Sequence, residues 1–413
     1  MKYFYLFLLI AFSTSSFNQT EDNLPLLGDP SSAAISLSGE YELGRLWLSV
    51  FRSSVKEYED PLTTTYLEDL IYRISETSEV RDRRYEFVII DDESINAFAA
   101  PGGIIGVNKG MFLKTDFESE FASVMCHELA HLSQRHFARS QSQMTALGNA
   151  LLILGSVAVA AASGSPEGIY LGPALIQQLS INYTRSNERE ADRIGFNNLV
   201  RAGFDPKGMS SMFQKLQKSR GNNDEEYSYL MSHPLPKERI TDARLRESEI
   251  EKENEYRDSL DFYLIKARSI VSSSSNVRDL VKEYQNILSS NLDQKSIIAA
   301  EYGLVLSYKK LKNFPVAFKA LRNLLDQLPD NLIFQTTLME LHLAEENNFE
   351  AVSVGETLLG LNQDNYAISK ILARAYLQNN QPKDAEGILI ELSRNKPSDP
   401  SVWYELAEAQ GLS

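Results

Sequence analysis

Residues 121–136 read FASVMCHELAHLSQRH, and within them His127, Glu128 and His131 form an H-E-x-x-H sequence. The surrounding stretch from Glu118 to Arg139 holds neither Gly nor Pro and reads as one continuous helix. Histidines four residues apart on a helix lie on one face, and two neutral imidazoles so placed can share a zinc ion at roughly 2.0–2.1 Å. Glu128 then stands beside the metal without binding it, where its carboxylate can accept a proton as water attacks an amide carbonyl. The expectation is a site for one Zn2+ per chain, with His127 and His131 as ligands and Glu128 as the base. H-E-x-x-H also arises by chance in unrelated helices, so the flanking sequence has to supply the rest of a peptidase.

Upstream, apolar residues recur at helical spacing from Tyr41 to Arg73, with Pro61 marking an interruption, which predicts one or two helices. Tyr85 to Ile90 (YEFVII) reads as a strand and Asp91 to Ser94 as a turn. Ala97 to Val107, broken by Pro101-Gly102-Gly103, reads as an extended pair. Thr115 or Asp116 is the candidate N-cap of the histidine helix. A peptidase must hold its substrate extended beside the metal, and an exposed strand edge can do so through main-chain hydrogen bonds. Asn96, Ala97, Phe98 and Ala99, within Asn96 to Ala100 (NAFAA), are the candidate edge; the plain alternative is a hairpin packed on the helix.

Downstream, Ala146 to Ala162 is rich in Ala, Leu and Val. It is short for a membrane span. A buried or covering helix is the first reading and peripheral membrane contact the second. Tyr183 to Gly195 (YTRSNEREADRIG) is helical and acidic, and a site with two motif histidines needs a third protein ligand, for which Glu188, Glu190 and Asp192 are available. Glu188 and Asp192, four apart, share a face, so one could bind metal while the other orients a histidine from behind. Without that context such a run is a solvated helix face. Glu190 lies off that face, and Glu190→Ala is expected to resemble the wild type. His136 is one residue short of the third histidine of a metzincin, where Phe137 stands instead, and Gln134 replaces the required glycine. It is read as a surface residue or one that supports the site from behind.

HELAH, preceded by NAFAAPGG and followed by NEREADRIG and SHP, resembles the gluzincin peptidases related to HtpX and the CAAX prenyl proteases, and within them the periplasmic BepA type. The resemblance covers residues 40 to 250 and, with the repeats below, nearly the whole chain after its leader. It implies His127, His131 and Glu188 as metal ligands, Glu128 as catalytic base, Asp192 as the supporting carboxylate and the stretch from Asn96 along the substrate strand. It also implies a switch role for His233, in Ser232-His233-Pro234, as an imidazole that occupies the position needed by water. Read without the resemblance, His233 is a loop residue near a domain boundary.

From Asp261 the pattern becomes continuously helical. Ala317, Ala351 and Ala385 are 34 residues apart, as are Leu324, Leu358 and Leu392, and Pro329, Gln363 and Pro397. That period, with small residues where paired helices touch, resembles tetratricopeptide repeats, here four with an unpaired last helix at Ser401 to Leu412. His342 within the array is read as a packing or surface residue. The expected fold is α+β and mainly helical, a gluzincin-like metallopeptidase domain (39–255) followed by an α-solenoid (261–413).

The amino end fits export. Lys2, an apolar run from Tyr3 to Phe12 and then Ser13 to Ser16 have the order of a signal peptide (1–16), followed by a polar linker (17–38). Cys126 is the only cysteine, so no internal disulfide forms. A net charge of −15 argues against nucleic-acid partners. The family resemblance implies a periplasmic protein acting on unfolded or stalled outer-membrane proteins with the barrel-assembly machinery. The rival reading is a chaperone or adaptor in which the repeats bind clients and cleavage is minor.

Overall fold

The computed structural model describes residues 35–143, 183–219, 229–250, 256, 258–290 and 293–413. The expected signal peptide, most of the linker and Ala146 to Ala162 lie outside the described residues. Two helices open the fold, α1 (Leu37–Ser54) and α2 (Pro61–Glu76). Pro61 does separate them, since its fixed φ suits the first turn of α2, where Asp60 caps the N–H groups of Leu62 and Thr63.

Three strands follow, β1 (Glu86–Ile90), β2 (Ala97–Ala100) and β3 (Ile104–Asn108), in the sheet order β1-β3-β2. The pair β2–β3 is the antiparallel hairpin expected around Pro101, with Gly102 and Gly103 at φ 76° and 78°, a conformation other residues adopt only at a cost. In contrast, β1 runs parallel to β3, which places β2 on the free edge. A short α3 (Gly110–Lys114) then leads into α4 (Glu118–Ser133), which carries the H-E-x-x-H residues.

Two expectations about α4 are corrected. Its N-cap is Phe117, with no side-chain cap; Thr115 spends its hydroxyl on Met111 O instead, and Glu120 accepts from Asp116 N–H at 2.7 Å. The helix also stops at Ser133 rather than running to Arg139. Arg135 takes φ 50°, held by Glu40 and the carbonyl of Ile35, and a new helix α5 (His136–Gln143) begins beyond it.

Next come α6 (Arg185–Arg201), capped by Thr184, α7 (Lys207–Ser219), a single turn α8 (Tyr229–Ser232) and α9 (Lys237–Glu249). Helix α4 lies against α6, α7 and β2. Gly195 makes the α4–α6 approach close, because a Cβ there would come within 3.0 Å of the His127 backbone.

The repeats open with α10 (Leu260–Ser273) and α11 (Val277–Leu288), which both pack on α12 (Gln294–Lys310), and continue as helix pairs: α12 with α13 (Phe314–Gln327), α14 (Leu332–Ala344) with α15 (Asn348–Leu361), and α16 (Tyr366–Gln378) with α17 (Pro382–Asn395). The last helix, α18 (Pro400–Leu412), packs on α17; its Leu406 is buried while Trp403 and Tyr404 are exposed. The alanines of the 34-residue period, Ala317, Ala351 and Ala385, are fully buried. The same period recurs in the turns: Lys312, Glu346 and Asn380 take left-handed φ, and Asn331, Asn365 and Asp399 cap α14, α16 and α18.

The array is not a separate body. One apolar core runs from α2, the sheet, α4 and α7 into α10, α12 and α13, where Phe262 meets Tyr66 and Phe121. Helix α16 also packs on α2, and Lys396 pairs with Glu68 at 2.6 Å.

Candidate active site

The fold brings His127, His131, Glu188 and His233 together: one ligand atom from each lies within 4.8 Å of all the others, and all four residues are buried. His127 and His131 come from successive turns of α4, Glu188 from the first turn of α6, and His233 from the residue after α8. The Nε2 atoms of the two motif histidines face each other at 2.9 Å. Glu188 Oε1 lies 3.4 Å from His131 Nε2 and 3.0 Å from His233 Nδ1, and its Oε2 is 3.5 Å from His127 Nε2. Glu128 Oε2 accepts from Ala99 N–H at 3.0 Å, while its buried Oε1 has no hydrogen bond and sits 3.5 Å from His233 Nε2.

The far sides of the two imidazoles are committed. Asp192 Oδ1 stands 3.0 Å from His127 Nδ1, and His136 Nδ1 stands 2.9 Å from His131 Nδ1. With a proton on each Nδ1, both Nε2 atoms turn lone pairs toward one point, an arrangement that repels unless a cation sits between them. The donor set therefore fits a metal.

Electrostatics agree. Burial pushes the Glu128 carboxyl up and drives His131 well below its usual range. Burial also opposes charge on His127, but Asp192 and Glu188 outweigh it and raise its pKa to about 9. For Glu188, burial is outweighed by hydrogen bonds from the three histidines, which hold it far below the carboxylate range. The cluster thus draws positive charge to its centre. A proton answers one imidazole; a divalent cation answers all four groups.

Several participants carried no signal in the sequence. Arg239, buried on α9, donates to both oxygens of Asp192 at 2.6 and 2.7 Å, lies 2.6 Å from Glu188 Oε2 and donates to Pro234 O at 2.8 Å. One guanidinium thus joins the two carboxylates to the His233 loop. Tyr183 stacks on His131 and Tyr229 on His233, with ring centroids 3.8 and 4.5 Å apart. His136 is fully buried, which excludes the surface reading. Glu190, set aside as lying off the Glu188 face, is 3.1 Å from His136 Nε2 and 2.9 Å from Arg139. His342 is remote and packs beside Phe318.

The strand residues divide. Asn96 O accepts from Asn108 N–H, so the main-chain groups of Asn96 and Phe98 turn to β3 and those of Ala97 and Ala99 turn away from it; Ala97 and Ala99 are buried, so the edge expected to be exposed is covered here. The Phe98 ring packs edge-on against Trp47 and Phe51.

Comparison with known proteins decides the family. Residues 61–247 match the model of peptidase family M48, and residues 342–409 match a tetratricopeptide repeat. The beta-barrel assembly-enhancing protease of Yersinia pestis is 32% identical over 399 residues, covering 95% of this chain and 82% of the relative. The chain belongs to peptidase family M48. The Escherichia coli K12 protein of the same name is 32% identical over 96% of this chain and 81% of its own length. Metalloprotease LoiP of Escherichia coli is 28% identical over 38% of this chain and 60% of its own. This M48 member is accordingly a metalloprotease with a C-terminal repeat array, and no helix among its described residues is long and apolar enough to cross a membrane.

Proposed function

We propose that this M48 peptidase is an exported zinc endopeptidase of the periplasm, latent at rest, that cleaves unfolded or stalled outer-membrane β-barrel proteins brought to it through the repeats and the barrel-assembly machinery. The names of the relatives support the client class. The observation that carries the chemistry is the convergence of His127, His131, Glu188 and His233 beside Glu128. Imidazole nitrogen with carboxylate oxygen is a donor set that suits zinc.

Zinc held by His127, His131 and Glu188 would polarise the scissile carbonyl and the attacking water. The chain supplies the rest. Glu128, anchored through Oε2 by Ala99, has Oε1 ready to take the water's proton and pass it to the leaving amine. Asp192, clamped by Arg239, orients His127. The outward main-chain groups of Ala97 and the Ala99 carbonyl form the edge on which a substrate strand would lie once the closed site opens, since Ala97 and Ala99 are both buried here.

His233 is the latch. Its Nδ1 stands 3.4 Å from His127 Nε2 and 3.0 Å from Glu188 Oε1, where a fourth ligand excludes water. Each 1.4 kcal/mol favouring that state lowers the open fraction about tenfold. His233→Ala is expected to raise cleavage of casein or an unfolded barrel protein, and Glu128→Gln in the same chain to abolish the gain. Lower activity with zinc retained would instead make His233 a donor to the developing oxyanion.

Metal content by elemental mass spectrometry tests the ligand set. One zinc per wild-type chain is expected, with Glu188→Ala purifying nearly metal-free. Asp192→Ala should bind about 10- to 100-fold more weakly. Full occupancy in Glu188→Ala would refute the assignment.

A further inference from the structure

His136 lies five residues beyond His131, which on an unbroken helix would set it about 140° round from that ligand. The chain instead spends a left-handed residue, Arg135, to end α4 and turn His136 back. The result is a line of contacts that runs from the buried site to the half-buried Glu190 and Arg139: His131 Nδ1 to His136 Nδ1 at 2.9 Å, His136 Nε2 to Glu190 Oε2 at 3.1 Å, and Glu190 Oε2 to Arg139 Nη1 at 2.9 Å.

Proton bookkeeping gives the line a direction. If His131 offers its Nε2 lone pair to a metal, its proton is on Nδ1, and that N–H donates to His136 Nδ1. His136 must then keep its own proton on Nε2, and Glu190, an acceptor only, receives it. Arg139 in turn holds Glu190 in place. Every site on the line has one consistent role, and the tautomer of His131 is set two residues away.

We propose that His136 is a positioning residue which, with Glu190, fixes the tautomer and ring orientation of His131, as Asp192 does for His127. The inference rests on the reading of His131 as a metal ligand. It replaces the expectation that Glu190→Ala resembles the wild type.

Zinc affinity of the full-length protein, measured by competition with a chromophoric chelator, tests it. His136→Phe keeps the ring's bulk and removes the acceptor, and an affinity loss of about 10- to 100-fold is expected. Glu190→Ala should lose affinity in the same direction, and Glu190→Gln, whose amide oxygen still accepts from Nε2–H, should recover most of it. Glu190 is half-buried, so its two variants remain informative should His136→Phe fail to fold. The inference falls if His136→Phe binds zinc as tightly as the wild type, or if Glu190→Ala and Glu190→Gln bind alike. A wild type that takes up no zinc overturns the ligand reading along with this one.

Discussion

Glu128→Gln is expected to keep its metal and lose about 10² to 10⁴ in peptide-bond hydrolysis. The substitution preserves shape, and the amide oxygen can still accept from Ala99 N–H, so neither β2 nor the α4 backbone has reason to move. What disappears is the carboxylate proposed to take up the water's proton. In the wild type that oxygen is Oε1, buried and without a hydrogen bond of its own, in a setting where burial pushes the carboxyl upward and makes it a better base. Cleavage of unfolded substrate by equal amounts of zinc-loaded protein measures the loss. It is best read in the His233→Ala background, where the proposed latch cannot mask turnover. Wild-type rates in Glu128→Gln would remove Glu128 from the chemistry.

The parts of the site that lie on one local element were legible. His127 and His131 meet because a helix turns about 100° per residue, and Glu188 and Asp192 share a face for the same reason. Repeat packing was legible because Ala317, Ala351 and Ala385 mark a translation along the chain. What escaped depends on where one helix stops. Nothing in SQRHFARS announces a turn, since Arg135 supplies the left-handed conformation usually left to Gly or Asn and is paid back by Glu40 and Ile35. With α4 drawn through to Arg139, His136 falls away from His131 and Glu190 has no partner. Arg239 was silent for a different reason: an arginine in a charged helix looks solvated until a fold buries it between two carboxylates. The parallel pairing of β1 with β3, which leaves β2 on the edge, likewise needs contacts far apart in the chain.

Arg268→Met is expected to destabilise the whole protein by about 3–5 kcal/mol, the usual result of removing one partner from a buried ionic network. Arg268, on α10, ties three elements together. It donates to both oxygens of Asp60 at 2.8 and 3.1 Å, to both oxygens of Glu340 at 2.8 and 3.2 Å, and to Tyr302 at 2.8 Å. Asp60 caps α2 of the peptidase domain, while Glu340 and Tyr302 belong to the repeats, so the arginine couples catalytic domain to array. Methionine keeps much of the volume but leaves two carboxylates buried, with Lys309 the remaining cation on Glu340. Because the apolar core is continuous across this junction, the loss should appear as a shift of one main urea transition rather than as release of the array alone. For the same reason a deletion of residues 261–413 would strip Phe262 from Tyr66 and Phe121, so loss of activity after it would not by itself separate recruitment from bracing. Acid gives a second signature. Burial raises the Glu340 carboxyl, but Arg268 and Lys309 outweigh it and bring the pKa down to about 2. A folded-state value below the unfolded one, about 4.3, means that stability from this pairing is complete above the unfolded pKa and lost as pH falls toward 2. Without Arg268 the folded-state pKa rises, and the acid limb of the stability curve should move to higher pH. An unchanged urea midpoint together with an unchanged acid limb in Arg268→Met would show that the junction is held by its apolar contacts alone.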